Sequence, residues 1–355
     1  MVHNFSAGPC ILPQEVLKEA SESVKEFGNE GLSLIEMSHR SAPFVKVMEE
    51  ARSLVKELLN VPDTHEVLFL QGGASLAFLT ATYNFLKEGG KASYHDTGTW
   101  SSKAIKEAKL LGNIEVVASG KEAGYTEIPY QFDVSPNSSY LHITSNNTIF
   151  GTQWNALPKT NEPLICDMSS DIFSRKINVS DYALIYAGAQ KNMGPAGTVL
   201  YIVEKDLLGK TGRAIPSYLD LEVHLGKDSM FNTPPVFAVY TSMLTLRWMK
   251  NLGGVSKLEE LNNAKAEILY NEIDSNPLFK GHAAKNSRSK MNVTFSLTQP
   301  DLEEEFNKLW NAENISGIKG HRSVGGYRAS IYNAMPQSSI QVLVDLMSEF
   351  SKVKA

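Results

Sequence analysis

The order of apolar and polar positions along the chain changes character twice. Residues 1 to 12 read as an extended arm, and Pro13 opens a helix to about Phe27, proline being suited to the first helical position. Pro43 restarts a helix that runs to Leu59, with Ser41 as its expected cap. From Glu66 a rhythm sets in: an apolar strand Glu66–Leu70, a glycine turn Gln71-Gly72-Gly73-Ala74-Ser75, and a helix Leu76–Phe85. Strand Lys91–His95, a loop over Asp96–Trp100 and helix Ser101–Leu111 repeat the unit. Further apolar strands are expected at Ile114–Ala118, Tyr140–Thr144, Pro163–Asp167 and Tyr182–Ala187, with another apolar run at Thr198–Val203. Such alternation predicts an α/β fold with a mainly parallel sheet covered on both faces. A long helix, Val236 to about Asn251, leads to Gly253-Gly254, a plausible boundary. Beyond it the order is helix (Lys257–Ile273), strand (Met291–Leu297), helix (Asp301–Asn311), strand (near Arg328–Tyr332) and a closing helix from Ser339. That helix places Ile340, Leu343, Val344, Met347 and Phe350 at helical spacing, as a smaller α+β domain would need.

Composition narrows the classes. A chain of 355 residues suggests two domains, and 42% hydrophobic with 21% charged residues is a globular balance. The net charge of −5 disfavours nucleic-acid or anionic-membrane binding. No apolar run approaches a membrane span, and Cys10 and Cys166 stand far apart without metal-ligand spacing, so a reduced, cytoplasmic setting and no metal are expected.

One stretch then draws attention, Ala187-Gly188-Ala189-Gln190-Lys191-Asn192-Met193-Gly194. Lys191 is a lone charge among small residues, flanked by two apolar runs. A buried amine has a lowered pKa, which Schiff-base chemistry with a carbonyl cofactor requires; a loop lysine reaching solvent is the plainer reading. Asp167 ends an apolar strand, where ligands of parallel sheets gather, and could pair with a protonated ring nitrogen or simply cap the next loop. The Gly72-Gly73 turn ahead of a helix offers the N–H groups of Ala74 and Ser75 to a phosphate, although a lone Gly-Gly turn is weak. Trp100 could stack on a planar ring or lie in the core. His39 and Arg40 precede a helix start, and Gly320-His321-Arg322 with Arg328 suits planar recognition of carboxylate or phosphate.

Taken together, Asn4-Phe5-Ser6-Ala7-Gly8-Pro9, Ser38-His39-Arg40-Ser41, Gly72-Gly73-Ala74-Ser75, Thr97-Gly98-Thr99-Trp100-Ser101, Asn146-Asn147-Thr148-Ile149-Phe150-Gly151, Gly188-Ala189-Gln190-Lys191-Asn192, Asn232-Thr233-Pro234-Pro235, and Gly320-His321-Arg322 with Gly325-Gly326-Tyr327-Arg328 occur in one order. In that order and spacing the chain resembles the class V aminotransferases of fold type I, and among them the phosphoserine aminotransferase family. The resemblance covers nearly the whole chain. It implies a large pyridoxal 5′-phosphate (PLP) domain with a mainly parallel seven-stranded sheet over 16–254, a small domain over 255–355, and an arm, 1–15, packing with the small domain. It also implies a cytoplasmic homodimer with active sites at the subunit interface, acting on L-glutamate and a phosphorylated 2-oxo acid in serine biosynthesis.

The resemblance assigns roles as well. Lys191 would hold PLP covalently and move protons, Asp167 would pair with the pyridine nitrogen, Trp100 would stack on the ring and Thr148 would bond its phenolic oxygen. Ala74, Ser75 and Gln190, with Asn232 and Thr233 from a second subunit, would hold the phosphate. Arg328 would take the substrate α-carboxylate. His39 and Arg40, joined by His321 and Arg322 from the partner, would bind the distal anion. Two features depart from the family pattern: Ser75 stands where some members carry an arginine, and Ala42-Pro43 replaces a more usual charged residue. Cysteine desulfuration is disfavoured because both cysteines precede Lys191. An alanine–glyoxylate type of transamination would not need the distal cations, and a PLP-binding protein without activity would not need Arg328.

Overall fold

The computed structural model describes residues 2–354. Its strands are β1 (His3–Asn4), β2 (His65–Leu70), β3 (Lys91–Asp96), β4 (Asn113–Ser119), β5 (Leu141–Thr144), β6 (Asn146–Asn147), β7 (Thr152–Gln153), β8 (Leu164–Asp167), β9 (Leu184–Gly188), β10 (Val199–Glu204), β11 (Phe279–Gly281), β12 (Asn292–Leu297), β13 (Ile315–Ser316) and β14 (Tyr327–Ser330). The helices are α1 (Gln14–Lys25), α2 (Ala42–Leu59), α3 (Gly73–Phe85), α4 (Thr99–Ala108), α5 (Leu221–Leu225), α6 (Val236–Asn251), α7 (Gly254–Ser275), α8 (Glu303–Ala312) and α9 (Gln337–Lys354).

Seven strands form one sheet in the order β2-β10-β9-β8-β5-β3-β4. Every pairing is parallel except those of β10, which runs antiparallel to both β2 and β9. The strands are apolar throughout because both faces are covered, so alternate residues enter different cores. Val67 and Phe69 face a core built with α2 and α6, while Leu68 and Leu70 face α3 and α4. Each large apolar side chain fully buried this way contributes about 1.5–3 kcal/mol. A third core lies around the sheet β11-β12-β14 and helices α7, α8 and α9, and it includes Phe5 of the amino-terminal arm. The arm is tied there by β1 pairing with β13 and by Phe5, whose N–H donates to Ser316 and whose carbonyl accepts from Ser330.

Several boundaries differ from the expected ones for local reasons. Helix α4 starts at Thr99, so Trp100 sits in its first turn and not in a loop: Ser101 Oγ accepts the N–H groups of Thr97 and Gly98, each at 2.9 Å. Helix α3 starts within the glycine turn, at Gly73. Ser41 is the residue before α2, yet its hydroxyl donates to the Ser38 carbonyl and caps no helix N–H. The Gly253-Gly254 pair turns α6 directly into α7 with φ of 113° and 73°, angles open to glycine, so α7 begins three residues before Lys257. The short pieces β1, β6, β7, β11 and β13 were not expected, since two or three residues carry no readable period. Among the described residues no helix is long and apolar enough to cross a membrane.

Candidate active site

The parallel strands deliver their carboxyl ends to one edge of the sheet, and Asp167 and Lys191 lie there. Asp167 is the last residue of β8 and pairs in register with Tyr186 of β9, and Lys191 follows β9 by three positions. Lys191 is half-buried, and its Nζ donates to Thr148 Oγ1 at 2.7 Å. Burial pushes its pKa down to about 8, against the opposing pull of Asp167, with the charge of Arg328 adding to the lowering. Small neighbours allow this approach: a Cβ on Gly8 would stand 3.4 Å from Lys191 Cγ, and the Cys10 N–H and thiol bond the carbonyls of Gln190 and Lys191.

Asp167 is buried, and burial raises its pKa although Ser169 and Lys191 favour the ionised form. Ser169 donates twice, from its N–H at 2.9 Å and its hydroxyl at 2.6 Å, and both bonds fall on Oδ1. Among the described residues no donor reaches Oδ2. A cationic ring nitrogen placed there would ionise the carboxyl and satisfy that oxygen.

Around these two stand groups suited to a flat, anionic ligand. The Trp100 ring centroid is 5.7 Å from Lys191 Nζ, and its indole N–H is buried without a partner. On its other contact the Lys103 ammonium lies 4.4 Å from the same ring. The first helical N–H bond of α3 is Leu76 to Gly72, so the N–H groups of Ala74 and Ser75 have no partner among the described residues and project from a positive helix end. The Gln190 side-chain amide is likewise without a partner among them, and it folds back over Gly188, where a Cβ would meet its Oε1 at 2.7 Å. A phosphorylated pyridine aldehyde fits this set: amine for aldehyde, carboxylate for ring nitrogen, unpaired N–H groups for phosphate.

Arg328 lies on β14, with Nη1 3.5 Å from the Thr148 carbonyl and Nε buried without a partner. Burial lowers its pKa, which strengthens its preference for an anion. The loop bearing His321 and Arg322 is stapled to that same strand: Gly320 N–H donates to Gly326, Arg328 N–H to Ile318, and Lys319 bridges Tyr327. Burial and the charges of Arg328, Arg322 and Lys103 lower the pKa of His321. His39 Nε2 has no partner and Arg40 is exposed, with no hydrogen bond from its guanidinium among the described residues. Asn232 and Thr233 border the glycine turn, where the Thr233 carbonyl accepts from Gln71 Nε2 at 2.6 Å.

Three supporting residues escaped the sequence reading. Ser169 orients Asp167 and also accepts the Gly188 N–H at 3.1 Å; an Asp with Ser two positions on is the mark of such a turn. Asp171 is buried with Ser145, Gln153 and Arg175 as donors. Asn192 donates to Ser170 and accepts the Asn333 N–H, which joins the lysine loop to the β14 side.

The class-V aminotransferase family model matches residues 2–343. A phosphoserine aminotransferase of Flavobacterium psychrophilum is 59% identical over 348 residues, covering 98% of each chain. The solved structure of the phosphoserine aminotransferase of Bacillus circulans subsp. alkalophilus superposes with a TM-score of 0.97 at 43% identity, covering 100% of this chain and 99% of that one. A PLP-bound phosphoserine aminotransferase from Trichomonas vaginalis superposes with a TM-score of 0.92 at 35% identity, covering 98% and 100%.

Proposed function

We infer the working of the cleft from one premise, that the chain belongs to the class-V aminotransferases and, within them, to the phosphoserine aminotransferases. It is a PLP-dependent enzyme that moves the amino group of L-glutamate to 3-phosphohydroxypyruvate, giving 2-oxoglutarate and O-phospho-L-serine in serine biosynthesis. The observation that carries this reading is the desolvated amine of Lys191 beside a buried carboxylate with one oxygen free.

When bound, PLP supplies a protonated pyridine ring that accepts the electron pair left as the substrate Cα–H bond breaks. The side chains divide the remaining tasks. Lys191 Nζ carries the proton away from Cα and returns it, for which a pKa near neutrality is suited. Asp167 Oδ2 holds the proton at the ring nitrogen. Trp100 covers one ring face and excludes water from it. Thr148 orients the Lys191 amine and reaches the phenolic oxygen. The N–H groups of Ala74 and Ser75, the Gln190 amide, and Asn232 and Thr233 of the partner subunit hold the phosphate.

Substrate recognition falls to cations. Arg328 takes the α-carboxylate common to both substrates. The distal group meets two cationic pairs, His39 with Arg40 and His321 with Arg322, one pair from each subunit. Two imidazoles and two guanidiniums exceed what a carboxylate needs and match a phosphate of nearly two charges. This reading makes the enzyme a homodimer, with residues 16–254 carrying Lys191 and Asp167, residues 255–355 carrying Arg328, and the arm 1–15 bridging them. The free thiols of Cys10 and Cys166 fit a cytoplasmic setting.

A keto-acid panel run against the aminated enzyme, with and without a phosphate on the acid, tests this. The phosphorylated acid should be converted far more efficiently, and Arg322→Ala should raise its KM about 10- to 100-fold, the worth of one charge-assisted bond. Equal turnover of glyoxylate or pyruvate would instead indicate an alanine–glyoxylate type of enzyme.

A further inference from the structure

Beyond β14, which bears Arg328, the chain runs through Ile331, Tyr332 and Asn333, and a lysine outside the reaction is aimed at these residues. Lys265 lies on the inner side of α7, only 2% exposed, and its Nζ donates to the carbonyls of Ile331 at 3.0 Å and Tyr332 at 2.7 Å. No carboxylate pairs with it among the described residues, and burial alone pushes its pKa down to about 7. Burying an amine without a counter-charge is unfavourable, and a methionine would fill the same space without that cost. Its compensation is local: two buried carbonyls receive donors, and since an uncharged amine has two N–H groups, both bonds survive loss of the third proton.

Those carbonyls belong to the segment that connects the two halves of the cleft. Asn333 N–H donates to Asn192 Oδ1 at 3.0 Å, next to Lys191, and Asn333 Oδ1 accepts from Asn262, one turn before Lys265 on α7. Tyr332 Oη donates to the Ala7 carbonyl at 2.7 Å, so the arm that lies against Lys191 is anchored at the same point. Lys265 thus sits where a shift in one short segment would move Arg328 relative to Lys191.

We propose that Lys265 is a positioning residue for transamination: its Nζ clamps the Ile331 and Tyr332 carbonyls and thereby fixes the separation of Arg328 from Lys191. This rests on the reading of Arg328 as the α-carboxylate anchor. The test compares Lys265→Met with wild-type holoenzyme in steady-state kinetics, cofactor titration and thermal melting. Misplacing a binding group by about an ångström costs up to about a hundredfold, so KM for L-glutamate and for the phosphorylated keto acid should both rise about tenfold or more, with kcat within about threefold. The cofactor concentration for half-saturation should stay within about twofold of wild type, because its phosphate and ring contacts lie on the other side of the cleft. Both KM values within about twofold of wild type, or a loss confined to kcat, would overturn the proposal even if the melting temperature falls. Should Lys265→Met fail to fold, Lys265→Gln, one bond shorter and so stretched from the same carbonyls, is judged by the same criterion. Arg328→Gln is the control: if KM does not rise in that variant, the assignment of Arg328 fails independently of Lys265.

Discussion

Lys191 is half-buried with Thr148 as its hydrogen-bond partner, and burial lowers its pKa to about 8 while Asp167 pulls the other way. Only the neutral amine attacks an aldehyde, so this shift sets how fast the cofactor-free protein captures PLP. The second-order rate of uptake, followed by absorbance in stopped flow, should rise about tenfold per pH unit below about 8 and level off above it. A rate still climbing at pH 10 would mean an amine in contact with water. Lys191 was legible in the sequence because its neighbours are Gly, Ala and Gln, with no other charge in the stretch. Lys265 was not: Asn263-Ala264-Lys265-Ala266-Glu267 reads as an ordinary helix surface, and its burial comes from the segment after β14 and the closing helix packing on α7. Local composition reveals a buried charge when the chain around it is small and apolar, and hides it when burial is imposed by distant elements.

At the scale of elements, the phosphate end of the cleft depends on one backbone corner. Gly72 has φ of 95°, and a Cβ there would collide with the Leu76 side chain. Gly72→Ala must therefore both strain the backbone, by about 1–3 kcal/mol, and push the first turn of α3 off its axis. The N–H groups of Ala74 and Ser75 move with it, so PLP affinity should fall about tenfold or more, measured by cofactor titration of the apoprotein. Unchanged affinity would show that the helix end does not hold the phosphate. The strand, glycine turn and helix here were legible because each piece has its own signature. The hairpin β6–β7, which presents Thr148, was not, since Asn-Asn and Thr-Gln carry no strand period. What fixes it is non-local: Gly151, at φ of 74°, packs so closely that a Cβ would meet Thr294 Oγ1, and its carbonyl accepts the Ser289 N–H.

At the scale of the whole molecule, the proposed distal anion site draws its cations from two chains. His321 and Arg322 lie on the loop that leads into the strand of Arg328, whereas His39 and Arg40 make no side-chain hydrogen bond among the described residues. The sequence showed both cationic pairs, and which protomer supplies each to one cleft depends on how two chains meet, which no local pattern encodes. Complementation separates the alternatives. Lys191→Ala removes the amine from one protomer, and Arg40→Ala removes the distal cation from the other. If Arg40 acts across a dimer interface, the protomer that keeps Lys191 receives an intact Arg40 from its companion, and one complete site forms in each mixed dimer. Random pairing on co-expression makes about half of the dimers mixed, so about a quarter of wild-type activity should return when assayed below KM. On that arrangement, co-expression of Lys191→Ala with Arg322→Ala should restore nothing, because the protomer that keeps the amine has lost its own Arg322. The reverse pattern would place the His321 loop across the interface. Failure of both pairs, with a monomer in sedimentation, would leave His39 and Arg40 outside the site altogether.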